Sequence, residues 1–514
     1  MASQIPEKGR KASRKAAVVP PVVSPTAVVA GATDDTPRTD KSRRLVFCFD
    51  GSWNKLDTKK HPTNVVLIAE SILPIDRNGV QQIVYYDEGV GTSSDDYWRG
   101  GIFGKGIEQN IRDAYRFLLF NFLPGDEIFV FGFSRGAFTA RSFIGFIRMV
   151  GIIRVNDASQ ISQAWKLYKR NAARADEDLS EALEFREKYC PHLCISASEL
   201  DWRRARTPGT EDVPVLRIAY CGVWDTVGTL GWKAITSAFD RTTDKRYSRH
   251  DTELSATVEA ARHAVAIDER RVHFMPTLWR NVRALNEAAQ ANHYDDGAPF
   301  QQKWFAGDHG SVGGGGPERG LSNAALHWVL RGAVNQGLRV SLEGRSQLDN
   351  IRYDARAPLS NSPADGVTIA NGAKILFWRA LGFIKDLILT AARSGPSDPR
   401  DLHPSVLRRW FLSEEELPGS RSYRPKPLRR HEAAIEAQRP LFRPDDDGSD
   451  RRIHVVAPGE ALRAIAQREV GGASRADEIF DLNRDVLDHP DDIFPGDQLR
   501  LPDVILKPSD NQVA

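Results

Sequence analysis

Ser134 stands at the centre of Gly-Phe-Ser-Arg-Gly, residues 132–136, which matches the G-x-S-x-G pattern of a nucleophile elbow. In that elbow a serine occupies a strained turn between a strand and a helix, and the flanking glycines allow the close backbone approach that the turn requires. The apolar run 128–131 precedes the motif as a strand would, and residues 137–147 follow it with apolar side chains at helical spacing. The context therefore favours a nucleophilic serine over the alternative, a glycine-rich turn with a serine that caps a helix.

Asp225 and His309 each follow an apolar run and precede a glycine-rich turn. The chain order serine, aspartate, histidine is that of α/β-hydrolases and differs from the orders of the two serine protease folds. A neutral imidazole accepts the proton of the serine, while a buried carboxylate fixes the imidazole tautomer and stabilises the cation that forms. The sequence therefore predicts Ser134 as nucleophile, His309 as base and Asp225 as acid of a catalytic triad. This chemistry requires no metal and no organic cofactor.

Two other carboxylates compete with Asp225 for the role of the acid. Asp268 follows an apolar stretch, but the arginines at positions 270 and 271 favour a structural salt bridge for it. Asp308 is adjacent to His309, so its side chain would normally point away from the imidazole. The four consecutive glycines at residues 313–316 are enough to cradle an anion, but the Lys and Ser/Thr of a P-loop are missing, which excludes that class of site.

Backbone amides near Ser134 are the expected oxyanion donors. In α/β-hydrolases one amide belongs to the residue after the nucleophile, here Arg135, and the other to a loop that follows an early strand. Residues 45–49 form such an apolar run, and Gly51 and Ser52 in the loop after it are the candidates for the second amide. An ordinary Asp-Gly turn is the alternative interpretation of that loop.

Alternating strands and helices are expected to position these side chains. Strands are predicted at residues 45–49, 82–86, 128–131, 215–224 and 303–306, helices at 64–72, 107–122, 137–147, 161–187 and 254–268, and a loop at 190–212. The β-α-β-α-β order of the first part implies a mostly parallel sheet with right-handed crossovers, flanked by helices. The fold class predicted for this part of the chain is therefore α/β and α/β-hydrolase-like.

Composition excludes several classes of protein. With 514 residues and 41% hydrophobic side chains, the chain is long enough for more than one domain and a sizeable core. A net charge of +2 gives no argument for nucleic-acid binding. Four cysteines are too few for a disulfide scaffold, and Cys190 with Cys194 is a weak zinc signal, so buried thiols are expected. Residues 1–40 lack the apolar core of a cleavable signal peptide, and no uninterrupted apolar stretch of about 18 residues predicts a spanning helix.

Four separate motifs in order resemble the catalytic domain of the type VI secretion phospholipase effector family. The motifs are residues 49–54, 132–141, 222–228 and 304–315, and the likeness covers residues 43–340. It implies a bacterial Ser-Asp-His lipid esterase acting on glycerophospholipids, with Ser134, Asp225 and His309 at the matching positions. The implied partners are a phospholipid or other lipid ester, a membrane surface, and a secretion-apparatus component or immunity protein. The implied route is synthesis in the cytoplasm without a cleavable signal peptide, then delivery to the periplasm or to a target cell.

Residues 375–389 are the most apolar segment outside the predicted sheet, interrupted by Arg379, Lys385 and Asp386. Two interpretations stay open: an interfacial helix or cap that docks an esterase on lipid, and a buried helix that packs on the hydrolase domain. Basic side chains further along the chain would hold anionic lipid headgroups or form a solvated face. They are Arg408, Arg409, Arg421, Arg424, Lys426, Arg429 and Arg430.

Residues 453–502 are predicted to form a separate strand–helix–helix–strand module. Residues 456–462, Asn483 and residues 493–499 closely resemble a LysM domain. The resemblance implies that the ligand is a polymer containing N-acetylglucosamine, such as peptidoglycan, and that it binds in a groove between two loops. The residues of these loops are Gly459, Glu460, Ile493, Phe494 and Pro495.

The motifs and composition shifts divide the chain into segments of different character. They are a disordered arm at 1–41, an α/β-hydrolase catalytic domain at 42–345, a helical cap or membrane-docking extension at 346–444, a linker at 445–452, a LysM-like domain at 453–503 and a tail at 504–514. The predicted function is hydrolysis of lipid carboxylic esters, as a phospholipase, by a serine hydrolase that carries a peptidoglycan-binding module. Two alternatives stay open: an inactive hydrolase fold that acts as an adaptor anchored to the cell wall, and a soluble esterase for small esters. The intact Ser, Asp and His argue against the adaptor.

Overall fold

The computed structural model describes the parts of the chain that carry the predicted sheet and most of the C-terminal half. The described residues are 43–51, 61–76, 78–89, 100–171, 180–206, 213–227, 253–271, 274–295, 297–340, 353–360, 367–369, 387–389, 392–439, 453–457, 459–470, 472–483, 487, 489–491, 493–494 and 497–501. The predicted arm at 1–41, the linker at 445–452 and the tail at 504–514 lie outside them.

Six parallel strands form the central sheet, in the order β2-β1-β3-β4-β5-β6. The strands are β1 (Arg44–Phe49), β2 (Gln82–Asp87), β3 (Glu127–Phe133), β4 (Ile218–Trp224), β5 (Val258–Ala266) and β6 (Phe300–Phe305). Since every pair is parallel, the carboxyl ends of all six strands lie at the same edge, where open α/β sheets place their functional residues. The predicted α/β fold with a mostly parallel sheet is confirmed.

Helices cover both faces of the sheet, and two further helices belong to the C-terminal module. The described helices are α1 (Asn64–Ser71), α2 (Gly100–Asn121), α3 (Arg135–Val150), α4 (Ile161–Asn171), α5 (Ser180–Tyr189), α6 (Ala197–Arg204), α7 (Val282–Ala288), α8 (His309–Gly313), α9 (Gly320–Asn335), α10 (Pro404–Phe411), α11 (Glu432–Glu436) and, in the C-terminal module, α12 (Leu462–Glu469) and α13 (Ala476–Leu482). Short 3-10 helices lie at Val155–Gln160, Pro399–Asp401, Lys426–His431 and Ala473–Arg475.

The strand β1 shows how the apolar runs of the sheet are used. Leu45, Phe47 and Phe49 pack into a core with α2 to α5, whereas Val46 and Cys48 point to the opposite face and pack with α1 and α9. A strand that is covered on both faces needs apolar side chains at every position, which explains the continuous run without polar alternation.

Two predicted elements are wrong, and both errors have a physical reason. The segment predicted as a helix at 254–268 contains strand β5. Its alanine-rich sequence favours a helix, but pairing between β4 and β6 in the buried sheet makes it a strand. The predicted loop at 190–212 contains helix α6, whose N-cap Ser196 accepts a hydrogen bond from the Glu199 amide. The predicted helix at 161–187 is helical where it is described, as α4 and α5, and residues 172–179 lie outside the described residues.

The segment at 392–439 packs against the β6 side of the sheet. Leu402, Val406 and Trp410 form an apolar cluster with Val265 of β5 and Trp304 of β6. Of the apolar segment 375–389, only Leu387–Leu389 is described, and these residues form a strand, β8, paired in parallel with β7 (Val367–Ile369) rather than a helix. The rest of that segment lies outside the described residues.

The C-terminal module has a core of its own. Strands β9 (Ile453–Val455) and β10 (Gln498–Arg500) pair antiparallel, and α12 and α13 lie between them in the chain, in the predicted order. Among the described residues no single helix is long and apolar enough to cross a membrane. The helical segments Arg135–Val150 and Val155–Asn171 are long and apolar enough only when they are counted together, and they are bent by 110° relative to each other.

Candidate active site

Ser134 occupies the sharp turn between β3 and α3. Its backbone has φ 59° and ψ −121°, a conformation that a residue with a side chain adopts only at a cost. The Ser134 amide donates to the Trp224 carbonyl at 3.0 Å, and the Ser134 carbonyl accepts from the Val227 amide at 3.3 Å. The turn is therefore anchored to the end of the neighbouring strand β4, as a nucleophile elbow requires.

The glycines on either side of Ser134 are required by close packing. A Cβ at Gly132 would lie 2.6 Å from the Gly136 carbonyl oxygen, and a Cβ at Gly136 would lie 2.1 Å from the carbonyl oxygen of Phe49. Both distances are shorter than any contact a side chain tolerates. The two glycines of the motif therefore allow α3 to begin directly against the ends of β1 and β3.

Asp225 follows β4 and binds the imidazole of His309. The Nδ1 atom of His309 lies 2.6 Å from Oδ2 of Asp225, and the Ala266 amide donates to Oδ1 at 3.0 Å. Asp225 is fully buried, and its guanidinium partner Arg393 lies 2.6 Å from Oδ1 and 2.9 Å from Oδ2. Burial alone would raise the pKa of Asp225, but the charge of Arg393 and the hydrogen bond of His309 outweigh it and hold that pKa far below its ordinary value.

The His309 ring lies beside the elbow. It is placed between the ring of Phe133, with centroids 4.6 Å apart, and the ring of Phe274, at 4.7 Å. The His309 amide donates to Oε2 of Glu269 at 3.2 Å, which fixes the start of α8. With Nδ1 engaged by Asp225, Nε2 is the ring atom that can accept a proton. The Ser134 hydroxyl does not cap α3, so it is not held away from the imidazole by that bond.

The competing acids make other contacts. Oδ2 of Asp268 accepts from the Gly307 amide at 2.7 Å and from the Tyr423 hydroxyl at 2.8 Å, and burial raises the pKa of Asp268 to about 6. Asp308 caps α8 through the Ser311 amide at 2.8 Å. The carboxylate that contacts the His309 ring is that of Asp225.

The salt bridge expected at Asp268 belongs to the next residue. Glu269 pairs with Arg271, with Oε2 and Nη2 at 2.6 Å. Asp268 is instead held by the hydroxyl and amide donors just described. The carboxylate after β5 that pairs with an arginine is therefore Glu269 and not Asp268.

The predicted oxyanion donors stand in different situations. The amide of Arg135 is at the first position of α3, directly after Ser134. The Gly51 amide donates to Oδ1 of Asp50 at 2.6 Å, so it would have to exchange this bond before it could hold an oxyanion. The same carboxylate accepts from the hydroxyls of Thr63 at 2.7 Å and Tyr86 at 2.8 Å, which fixes the loop after β1. Ser52 lies outside the described residues.

The glycine run after His309 serves packing. A Cβ at Gly313 would lie 1.9 Å from the ring of Phe133, and Gly314 adopts φ 80° with its Cβ position 2.9 Å from the Asn64 amide nitrogen. The absence of side chains lets α8 lie directly on the elbow strand. Among the described residues, no group of three or more His, Cys, Asp or Glu could hold a metal ion. The four cysteines are free and buried.

The predicted glycan loops of the C-terminal module are described in part. Oε2 of Glu460 accepts from the Ala457 amide at 2.7 Å and lies 2.7 Å from Nε2 of His454. The Phe494 amide donates to Oδ2 of Asp497 at 2.8 Å. Gly459 adopts φ 83°, Ile493 packs against the module's core, and Pro495 lies outside the described residues.

The second of these loops touches helix α9 of the larger domain. Oδ1 of Asp497 lies 2.7 Å from Nε2 of His327, and the rings of Phe494 and His327 have centroids 5.9 Å apart. The structure therefore brings one predicted glycan residue, Phe494, against the hydrolase-like domain. No motif in the sequence predicts this contact.

Residues outside the predicted triad also shape the site. Arg393, Glu269 and Phe274 contact Asp225 or His309, and none of them was predicted from the sequence. Glu269 and Phe274 lie after β5, which was predicted as a helix, so their position at the functional edge was not visible. Arg393 lies 168 positions from Asp225 in the chain, and no local pattern marks it.

Comparison with known proteins gives one family match and several partial likenesses. The family model described as "T6SS, Phospholipase effector Tle1-like, catalytic domain" matches residues 43–332. An uncharacterized protein of Saccharomyces cerevisiae, YEL023C, is 26% identical over 283 residues, which are 50% of this chain and 36% of that protein. The potassium binding protein Kbp of Escherichia coli is 36% identical over 52 residues, 10% of this chain and 35% of that protein. The chain thus covers about a third of the length of either curated relative.

Two solved structures are similar to parts of the chain. The Tle1 effector bound to the VgrG spike of the type 6 secretion system has a TM-score of 0.27 and 14% identity, covering 56% of each chain. An uncharacterized protein from Pseudomonas aeruginosa has a TM-score of 0.32 and 16% identity, covering 89% of this chain and 65% of that one.

Proposed function

Because this chain belongs to the Tle1-like family of type VI secretion phospholipase effector catalytic domains, we propose that it is a serine hydrolase that cleaves the carboxylic esters of phospholipids. Ser134, His309 and Asp225 form its triad. The observation that carries the proposal is the Asp225–His309 hydrogen bond of 2.6 Å beside a serine held at φ 59°. A glycine-rich turn without chemistry would need neither the strained serine nor a buried ionised carboxylate on the neighbouring imidazole.

The mechanism follows from these positions. Nε2 of His309 takes the proton of Ser134 as Oγ attacks the acyl carbonyl, and Asp225 stabilises the imidazolium that forms. The amide of Arg135 donates to the oxyanion, and the Gly51 amide joins it once its bond to Asp50 is exchanged. The imidazolium then protonates the leaving alcohol, which gives an acyl-serine. Water, activated by His309, hydrolyses that ester and restores the Ser134 hydroxyl.

A lipid substrate is favoured over a small soluble ester by family membership and by the surroundings of the base. The rings of Phe133 and Phe274 contact the His309 ring, so the surroundings of the base are apolar, which suits a lipid ester. Synthesis in the cytoplasm, delivery to the periplasm or a target cell, work at a membrane surface and pairing with a secretion-apparatus component or immunity protein belong to the same proposal. They rest on the family alone.

The C-terminal module is proposed to bind N-acetylglucosamine polymers such as peptidoglycan. Its support is the LysM-like sequence pattern together with a strand–helix–helix–strand unit that has its own apolar core. Gly459, Glu460, Ile493, Phe494 and Pro495 are the proposed contact residues.

Incubation with defined phospholipid vesicles, followed by analysis of the products, tests the hydrolase. The intact chain should release fatty acid, Ser134→Ala should release none, and Ser159→Ala, which alters an exposed serine, should match the wild type. Labelling by a fluorophosphonate should follow the same pattern. A wild-type chain that is neither labelled nor active would favour the adaptor, and activity on short soluble esters without gain on vesicles would favour the small-ester esterase.

A further inference from the structure

Arg393 lies outside the residues that match the family model, yet its side chain reaches the proposed catalytic acid. The family match ends at residue 332, and Arg393 belongs to the segment that packs on β5 and β6. Its two terminal nitrogens lie 2.6 Å and 2.9 Å from the two carboxylate oxygens of Asp225. This is a bidentate pairing, the geometry in which a guanidinium holds a carboxylate in one fixed plane.

The Arg393 side chain is locked in place from several directions. It is 1% exposed, and the Asp225 side chain is fully buried. Nη1 also donates to the Ala266 carbonyl at 2.6 Å, and Nη2 donates to the Phe274 carbonyl. These bonds join the end of β4, the end of β5 and the segment that carries the ring beside His309. A buried cation with this many partners is part of the site and not a surface ion pair.

The pairing changes what Asp225 can do for His309. In an ordinary triad the unpaired negative charge of the acid favours the imidazolium, so the base is strengthened. Here a positive charge is bound to both oxygens of that acid, which offsets the attraction and adds repulsion toward the imidazolium. Asp225 still fixes the tautomer through Nδ1, but it favours the protonated ring less.

The other charged groups near the imidazole do not cancel the effect of Arg393 on it. Glu269 faces the His309 amide, but its charge is matched by Arg271. Burial, followed by the charge of Arg141, lowers the pKa of His263 next to Asp225 to about 3, so that ring is neutral. The Asp308 carboxylate, adjacent to His309, accepts hydrogen bonds from the Ser311 amide at 2.8 Å and the Ser360 hydroxyl at 3.0 Å.

We propose that Arg393, supplied by the C-terminal extension, is a positioning residue of the triad that orients Asp225 and weakens the attraction of that carboxylate for the imidazolium of His309. The proposal rests on the proposed hydrolase function. It also implies that the segment at 392–439 is part of the catalytic unit, so residues 42–345 alone would hold Asp225 without its cationic partner.

The test is the pH dependence of kcat/KM on a short soluble ester, and of fluorophosphonate labelling, in the full chain. The acid limb of the wild-type profile gives the reference midpoint. Arg393→Met should move the midpoint up by about one pH unit, as expected when a charge is removed from within a few ångströms. Arg393→Lys should leave the midpoint in place and lower kcat, because it keeps the charge and loses the bidentate geometry.

Arg400→Met is the matched control, since Arg400 lies in the same segment, is exposed and pairs with Asp398. It should leave both the midpoint and kcat unchanged. An active wild type with the same midpoint as Arg393→Met would overturn the inference and leave the hydrolase standing. If Arg393→Met does not fold, Arg393→Lys decides: a lower kcat at an unchanged midpoint supports the inference, and any other result overturns it. A wild type that neither turns over ester nor is labelled at any pH overturns the proposed function, and this inference with it.

Discussion

The ring of Phe133 lies against the ring of His309, with centroids 4.6 Å apart and planes inclined by 31°. Phe133 is the last residue of β3, directly before Ser134, and His309 is the first residue of α8. The contact therefore ties the proposed base to the strand that carries the proposed nucleophile. Gly313 completes it, because any side chain there would occupy the position of the Phe133 ring.

Replacing the proposed acid should cost stability as well as activity. Asp225→Asn leaves the buried guanidinium of Arg393 without a counter-charge, and breaking a buried pair in this way lowers the free energy of unfolding by about 3 kcal/mol. The wrong imidazole tautomer should also lower kcat by roughly 10³- to 10⁴-fold. Denaturant unfolding and ester hydrolysis measure the two effects.

Ser134→Ala is the comparison for that variant, because it should abolish activity at little cost in stability. The Ser134 hydroxyl does not cap α3, and the elbow is held by the backbone amide and carbonyl of Ser134, which the variant keeps. Equal unfolding free energies for Asp225→Asn and the wild type would contradict a buried, charge-paired acid.

Gly136 should tolerate no side chain. In Gly136→Ala the new Cβ would meet the Phe49 carbonyl oxygen at 2.1 Å, so β1 and α3 must separate. We expect a loss of about 1–3 kcal/mol in unfolding free energy and loss of hydrolysis, since the elbow moves with the helix. Gly297→Ala is the control: it meets nothing within 4 Å and should change stability by less than about 0.5 kcal/mol. Thermal unfolding that ranks the two variants equally would contradict the packing argument.

Local patterns in the sequence were sufficient for part of this fold. The apolar runs that became β1, β2, β3, β4 and β6 are each bounded by polar turns, so period and length marked them. Strand β5 was mistaken for a helix because its alanines carry helix propensity, and only its burial between two partners makes it a strand. Helix α6 was missed because a Ser-x-x-Glu cap opens it without a long apolar stretch behind.

The candidate site, like the fold, could be predicted from the sequence only in part. Ser134, Asp225 and His309 were predicted because each follows a strand, and parallel strands bring their ends to one edge. Arg393 was not predicted, since its place depends on how a distant segment packs. The Gly51–Asp50 bond was not predicted either, because an Asp-Gly turn and an oxyanion loop have the same sequence.

Asp268 should make stability depend on pH in a direction opposite to that of Asp225. Burial raises its pKa to about 6, above the ordinary value of 3.8, so the folded state binds the proton more tightly than the unfolded chain. The contribution is fully present below about pH 4 and is lost as the pH rises through about 6. In Asp268→Asn the group stays neutral, and a side-chain oxygen can still accept from Gly307 and Tyr423.

The measurement for Asp268 is the difference in Tm between Asp268→Asn and the wild type at pH 4 to 8. The difference should move in favour of the variant between about pH 4 and pH 6 and should level off above about pH 7. A difference that stays constant over this range would contradict a raised carboxyl pKa. Glu415→Gln, a change at an exposed carboxylate, should show no such trend.

Binding of the full chain to peptidoglycan sacculi should depend on Phe494 and should be opposed by His327. Phe494→Ala removes a ring from the proposed groove and should reduce sedimentation with sacculi. The His327 ring lies against Phe494 and pairs with Asp497, so the same loop contacts helix α9 or the glycan but not both with the same surface. His327→Ala should therefore increase binding, because Asp497 still holds the Phe494 amide while the competing contact is gone.

Asp477→Asn, on an exposed turn of α13, should leave binding unchanged. If His327→Ala lowers binding, the contact with α9 supports the glycan groove instead of covering it.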